Sequence, residues 1–225
     1  MQAWLADHGP CPYLAGRRFR SVVVEGDLGR RYRDLMDVGF RRSGPLAYLP
    51  DCGDCRACVP VRVPVCDFAP RRDQRRTAMR NRDLTVAVVP RGGGGEDSVA
   101  LWSRYQSAVH GQVEPGSPPG RESDGGVEGA ELHARDGSGR LVAVSIVDLF
   151  PDAVSSVYCY WDPDLVERGL GTWMALAEIA HARATGRAWW YLGYWVAGCG
   201  KMAYKARYRP QQRLVDGAWR WADGE

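Results

Sequence analysis

Cys52, Cys55 and Cys58 stand in the run DCGDCRAC, and Cys11 lies upstream as a fourth thiol. Thiolates packed this closely suit zinc or an iron–sulfur cluster in a reduced compartment, and C-x2-C-x2-C is the spacing of four-iron clusters. No charged segment followed by an apolar one opens the chain, so neither secretion nor disulfides are expected and the expected location is cytoplasmic. Spacing alone leaves zinc, a cluster and a plain packed loop all open. Cys66, Cys159 and Cys199 lie apart from the run, the first two in expected strands.

Lys201 and Lys205 are the only lysines among 30 basic residues, and isoleucine occurs only at Ile146 and Ile179. That bias is the mark of a GC-rich genome replacing Lys by Arg wherever chemistry tolerates it. Two lysines retained four residues apart therefore point to a need for a compact ammonium. They share a face if the segment after Gly200 is helical. Arg72, Arg76 and Arg80 recur at i, i+4 and i+8 on a helix expected over 71–82. Residues 1–90 hold 16 arginines against 10 acids, a net of +6. Residues 91–225 hold 14 basic residues against 17 acids, a net of −3, and 6 − 3 recovers the overall +3. The basic half is the expected meeting place for a polyanion.

Such groups need a frame, and the pattern supplies one. Strands are expected over 19–25, 59–68, 84–89, 130–135, 140–149, 155–161 and 188–194. Pro60 and Pro64 push the second of these to a sheet edge. Helices are expected over 30–38, 71–82, 98–110 and 169–185, with loops over 48–58, 91–97 and 111–129. A meander followed by a helix and a further strand is an α+β layered arrangement. Gly169-Leu170-Gly171, at a strand-to-helix junction, offers backbone N–H groups to an anion or serves as a plain tight turn. Two domains are expected, a basic cysteine-rich one over 1–90 and a transfer domain over 91–225. No apolar run is long enough to span a membrane.

Six stretches together resemble the arginyl-tRNA–protein transferase family: CPYL at 11–14, DCGDCRACVPVRVPV at 51–65, DQRRTAMRN at 73–81, SSVYCYWDPDL at 155–165, GLGTWMALAEI at 169–179 and YLGYWVAGCGKMAYKARYRP at 191–210. Within that family the chain is similar to the bacterial aspartate/glutamate leucyltransferase branch. The resemblance implies a cysteine-containing N-terminal α/β domain joined to an acetyltransferase-like (GNAT) C-terminal domain. It implies leucyl-tRNA, or else arginyl-tRNA, as donor and proteins beginning with Asp or Glu as acceptors, marked in this way for degradation. Cluster binding, known in the family's eukaryotic branch, carries over here only onto Cys11, Cys52, Cys55 and Cys58; no cofactor is expected for the chemistry itself, and a monomer is expected.

The implied reaction is aminolysis of an ester already activated on tRNA. An α-amine of pKa about 7.7–8.0 is partly neutral at cellular pH, so no strongly perturbed base is required. Positioning, oxyanion stabilisation and proton relay matter more. Under this reading Asp148 is a candidate proton acceptor, and Tyr194 and Tyr204 are candidate relays or stacking partners for the terminal adenine. Lys201, Lys205 and Arg207 are candidates for the acceptor's acidic side chain or a tRNA phosphate. Gln74, Arg75, Arg76, Arg80 and Asn81 make a candidate tRNA-binding helix face. Other readings are a tRNA-dependent enzyme acting on a small amine or biosynthetic peptide, an acyl-CoA N-acyltransferase, and a metal-bound nucleic-acid regulator. Val166 stands where the CoA enzymes carry Gln or Arg.

Overall fold

The structure, a computed structural model, describes residues 1–29, 31–119 and 124–222. In chain order the elements are β1 (Gln2–Pro10), β2 (Arg18–Glu25), α1 (Tyr32–Asp37), β3 (Arg41–Ser43), β4 (Leu46–Pro50) and β5 (Val59–Pro64). Next come α2 (Arg72–Arg80), β6 (Thr85–Pro90), α3 (Glu96–His110), β7 (Gly129–Arg135), β8 (Leu141–Leu149) and β9 (Ala153–Trp161). A 3-10 turn (Pro163–Arg168) leads into α4 (Leu170–Ala184). The chain closes with β10 (Trp189–Trp195), α5 (Gly200–Ala203), a second 3-10 turn (Tyr204–Arg207), β11 (Gln212–Val215) and β12 (Ala218–Trp221). The fold is mixed α/β. No helix among the described residues is long and apolar enough to cross a membrane.

Chain contacts define two compact units that are not the sequence halves 1–90 and 91–225. The first comprises Met1–Phe68, Glu122–Glu128 and Tyr191–Glu225; the second comprises Ala69–Arg121 and Gly129–Trp190. In the first unit the strands run in the antiparallel order β1-β2-β4-β3, and Val23, Val24, Leu28, Tyr32, Met36 and Ala47 are buried there. The same unit orders β12, β11, β5 and the Tyr191–Trp195 part of β10 side by side. β5 is thus an interior strand and not the edge its prolines suggest. Its paired residues, Val61 and Arg62, lie between Pro60 and Pro64, so the ladder to β11 keeps both donors. Residues 48–58, expected as a loop, begin within β4, and Cys52 and Cys55 form an isolated antiparallel bridge.

The second unit is the expected meander, β6-β7-β8-β9, each pair antiparallel. β8 is buried along almost its whole length because helices cover both its faces. Val144 and Ile146 pack with Leu101, Trp102 and Tyr105 of α3, whereas Ser145 meets α4. Alternation along the strand makes this division. Gly169, at φ +65, is the N-cap of α4, a left-handed conformation that glycine tolerates without strain.

Candidate functional site

The first unit sets Lys205 beneath the end of β10. The residue is 7% exposed, and its Nζ donates to the Tyr194 carbonyl at 2.9 Å. Gly193, at φ +81, makes room, since a Cβ there would lie 3.2 Å from Nζ. Gln211 fixes the turn by donating from Nε2 to the Lys205 and Tyr208 carbonyls at 3.0 and 2.8 Å. Burial, helped by the repulsion of Arg41, lowers the Lys205 ammonium to about 7. Tyr194 donates from its hydroxyl to the Gly39 and Tyr48 carbonyls at 2.8 and 3.2 Å, and burial holds its pKa well above the ordinary value. Its side chain is a brace, and its carbonyl is what meets Lys205.

Lys201 and Lys205 do not share a face. α5 ends at Ala203 and the chain tightens into a 3-10 turn, which leaves Lys201 exposed and Lys205 inside. Tyr204 is 43% exposed, edge-on to Tyr208, and Arg207 is exposed.

The cysteines come within electrostatic range of one another. Burial, then Cys52, Cys11, Cys55 and Cys199, push the Cys58 thiol up to about 12. Cys199, set apart in the sequence, belongs with this group. Cys52 Sγ is committed to the backbone of Arg20, accepting from its N–H at 3.4 Å and donating to its carbonyl at 3.3 Å. Among the described residues no three metal-ligating side chains converge. A metal centre on Cys11, Cys52, Cys55 and Cys58 rests on the family resemblance alone, and no chemical step is drawn through one. Cys52 and Cys55 instead border a cleft of about 550 Å³ lined also by Arg17, Arg18 and Arg20.

In the second unit the expected basic face divides. Gln74 is buried and its Oε1 accepts the Arg71 N–H at 2.8 Å, capping α2. Asn81 is buried too. It donates to the Thr77 and Arg168 carbonyls at 2.9 and 2.8 Å and accepts from Arg168 Nε at 2.8 Å, clamping the turn before α4. Arg80 donates to the Glu167 carbonyl and Arg75 to the Pro70 carbonyl. Arg72 and Arg76 remain exposed. Thr77 lies beside Gly169, where a Cβ would meet it at 3.5 Å, so α2 adjoins the start of α4.

Asp148 is a correction. It is fully buried and ion-paired with Arg91, which also donates to the Val147 carbonyl at 2.9 Å. A carboxylate held in this way is no open proton acceptor. An acid of this unit raised by burial is Glu178, which sequence reasoning missed. It takes Ser145 Oγ, Ser156 Oγ at 3.3 Å and Trp190 Nε1 at 2.7 Å, and burial pushes its carboxyl up to about 7. The signal was present, since Leu170, Met174, Glu178 and Ala182 form one buried i, i+4 stripe of α4.

The model for the N terminus of arginine-tRNA-protein transferase matches residues 9–76 and that for its C terminus matches 97–215. The chain belongs to the arginine-tRNA-protein transferase family. It is 42% identical over 241 aligned positions to an aspartate/glutamate leucyltransferase of Methylorubrum extorquens, covering 97% of this chain and 95% of that one. It is 40% identical over 218 positions to the enzyme of the same name from Gluconacetobacter diazotrophicus, covering 93% and 84%. Among solved structures, L-PGS from Bacillus licheniformis has a similar fold, with TM-score 0.56 and 13% identity over 88% of this chain and 64% of that one.

Proposed function

We propose that this chain transfers leucine from leucyl-tRNA to the α-amine of proteins that begin with Asp or Glu. The observation that carries the reading is the near-full-length similarity to enzymes named aspartate/glutamate leucyltransferase. In the reaction the α-amine nitrogen attacks the ester carbonyl, the bond to the tRNA ribose oxygen breaks, and the amine's proton ends on that oxygen. The buried Lys205, whose Nζ lies at the end of β10 in the first unit, is suited to the acceptor side of this chemistry. The exposed Arg72 and Arg76, with the N-terminus of α4 nearby, suit the phosphates of the donor. The second unit is read as the acetyltransferase-like domain and the cysteine-bearing first unit as the acceptor-side domain. The enzyme works in the cytoplasm as a monomer.

The direct test is to supply labelled leucyl-tRNA or arginyl-tRNA with peptides beginning Asp, Glu or Ala. Label is expected from leucyl-tRNA and only on the acidic peptides. Transfer to Ala alone, or to none, would overturn the reading. Neutralising Arg72 and Arg76 together should weaken tRNA binding and shallow its log–log salt dependence by about 1.5, because each phosphate contact contributes about 0.7–0.9 to the slope. An unchanged slope would make α2 a solvated surface.

A further inference from the structure

We infer that Arg41, with Lys205 beside it, forms the seat for the side-chain carboxylate of the acceptor's N-terminal residue. The inference rests on the function proposed above and names the group that reads its substrate. Arg41 opens β3 opposite Tyr48 and is 5% exposed. Its Nη1 donates to the Phe40 and Met36 carbonyls at 2.6 and 3.4 Å. Its Nε and Nη2 are buried with no acceptor among the described residues. These two nitrogens form one edge of the guanidinium fork, the edge a carboxylate takes with two parallel hydrogen bonds.

The charge on Arg41 is also unanswered. Its guanidinium carbon lies 5.4 Å from the Tyr191 ring centroid and 5.6 Å from that of Tyr194. Rings attract a cation without neutralising it. Asp37, on the preceding helix, is engaged elsewhere. Its carboxylate pairs with Arg33 at 2.8 Å and Arg62 at 3.2 Å and accepts the Tyr191 hydroxyl. Among the described residues Arg41 has no ion pair. Lys205 is a second buried cation within electrostatic range of the first, and a backbone carbonyl is its hydrogen-bond acceptor.

A buried guanidinium whose Nε and Nη2 meet no acceptor, beside a second buried basic group, is costly, and the fold's own contacts give no reason to leave that edge unanswered. A ligand that brings a carboxylate gives that reason. Cys58 and Cys199 lie within electrostatic range of Lys205, and Tyr13 and Cys11 within range of Cys58. Cys11, Tyr13 and Cys58 are half-buried.

The test compares wild type, Arg41→Met and Arg41→Lys, using leucyl-tRNA and peptides in the pairs Asp/Asn and Glu/Gln at the first position. Wild type should prefer the acid of each pair, and the acidic peptide alone should raise its melting temperature. In Arg41→Met, kcat/KM for the acidic peptides should fall roughly 30-fold or more while the neutral peptides change little, so the preference collapses. Arg41→Lys, which keeps the charge but not the fork, should not restore it. The unliganded Arg41→Met protein should melt within a few degrees of wild type, because removing an unanswered charge offsets the loss of the Nη1 donations to the Phe40 and Met36 carbonyls. Both variants keeping the wild-type preference, or a lower melt with the preference intact, would make Arg41 a packing residue and sink the inference alone. Loss of leucyl-tRNA affinity would assign the guanidinium to a phosphate and also sink it. A wild type that neither transfers to acidic peptides nor is stabilised by them overturns the proposed function, and this inference with it.

Discussion

Glu178→Gln should stabilise the protein above neutral pH and flatten the pH dependence of its stability between about 4.5 and 7. The carboxyl of Glu178 is wholly inside the second unit, facing two serine hydroxyls and the Trp190 indole, and burial raises it to about 7 from an ordinary 4.5. A carboxyl raised on folding binds its proton more tightly in the native state. Its contribution is complete below the unfolded pKa and is lost as pH rises through the folded one. Stability should therefore decline across that window, in total on the order of 3 kcal/mol. The glutamine amide matches the protonated acid in shape and carries no charge to desolvate, so the variant loses that decline. Thermal or urea melts at pH 5 and pH 8 measure the effect. A variant as pH-sensitive as wild type, or one less stable than wild type at pH 8, would show that the carboxyl is not held protonated by the core.

The meander, α3, α4 and the basic helix were legible from their periodic signatures, and Gly111 and Gly186 mark the ends of α3 and α4. β11 and β12 escaped, although Asp216-Gly217 in VDGA is a strong short-range hairpin signal, and both residues take positive φ, 51° and 75°. Lys205 stood out by rarity alone. Arg41 could not, being one of 28 arginines, and only burial without an acceptor separates it from the rest. Gln74 and Asn81 were misread for a related reason. Side chains that cap helices share the residue types that bind nucleic acid, and only the hydrogen-bond partners tell them apart. Cys199 joins the other thiols through the fold of the first unit, a proximity that linear spacing cannot carry. The elements follow from periodicity, whereas the site follows from which charges are left unanswered once the elements have packed.

Lys205→Met should leave a folded protein that has lost most of its activity on acidic acceptors. The stem of methionine fills the volume of the lysine stem, and its thioether removes the cost of holding an ammonium away from water. Against this, the Tyr194 carbonyl loses its 2.9 Å donor, a penalty of about 1–3 kcal/mol. The two effects oppose, so the melting temperature should move by only a few degrees. Activity has no such compensation. Removing one partner of a desolvated charge pair costs about 2–5 kcal/mol, which lowers kcat/KM for Asp and Glu peptides by roughly 30-fold or more. Binding of leucyl-tRNA should be nearly unchanged. Gly193→Ala reaches the same place without altering charge. Its Cβ would lie 3.2 Å from the ammonium, and alanine at φ +81 carries strain of about 1–2 kcal/mol, so the lysine must shift and transfer should fall. If both variants retain wild-type kcat/KM on acidic peptides, Lys205 is a structural brace for the end of β10. If instead both lose leucyl-tRNA, the ammonium holds a phosphate of the donor and the acceptor is read elsewhere.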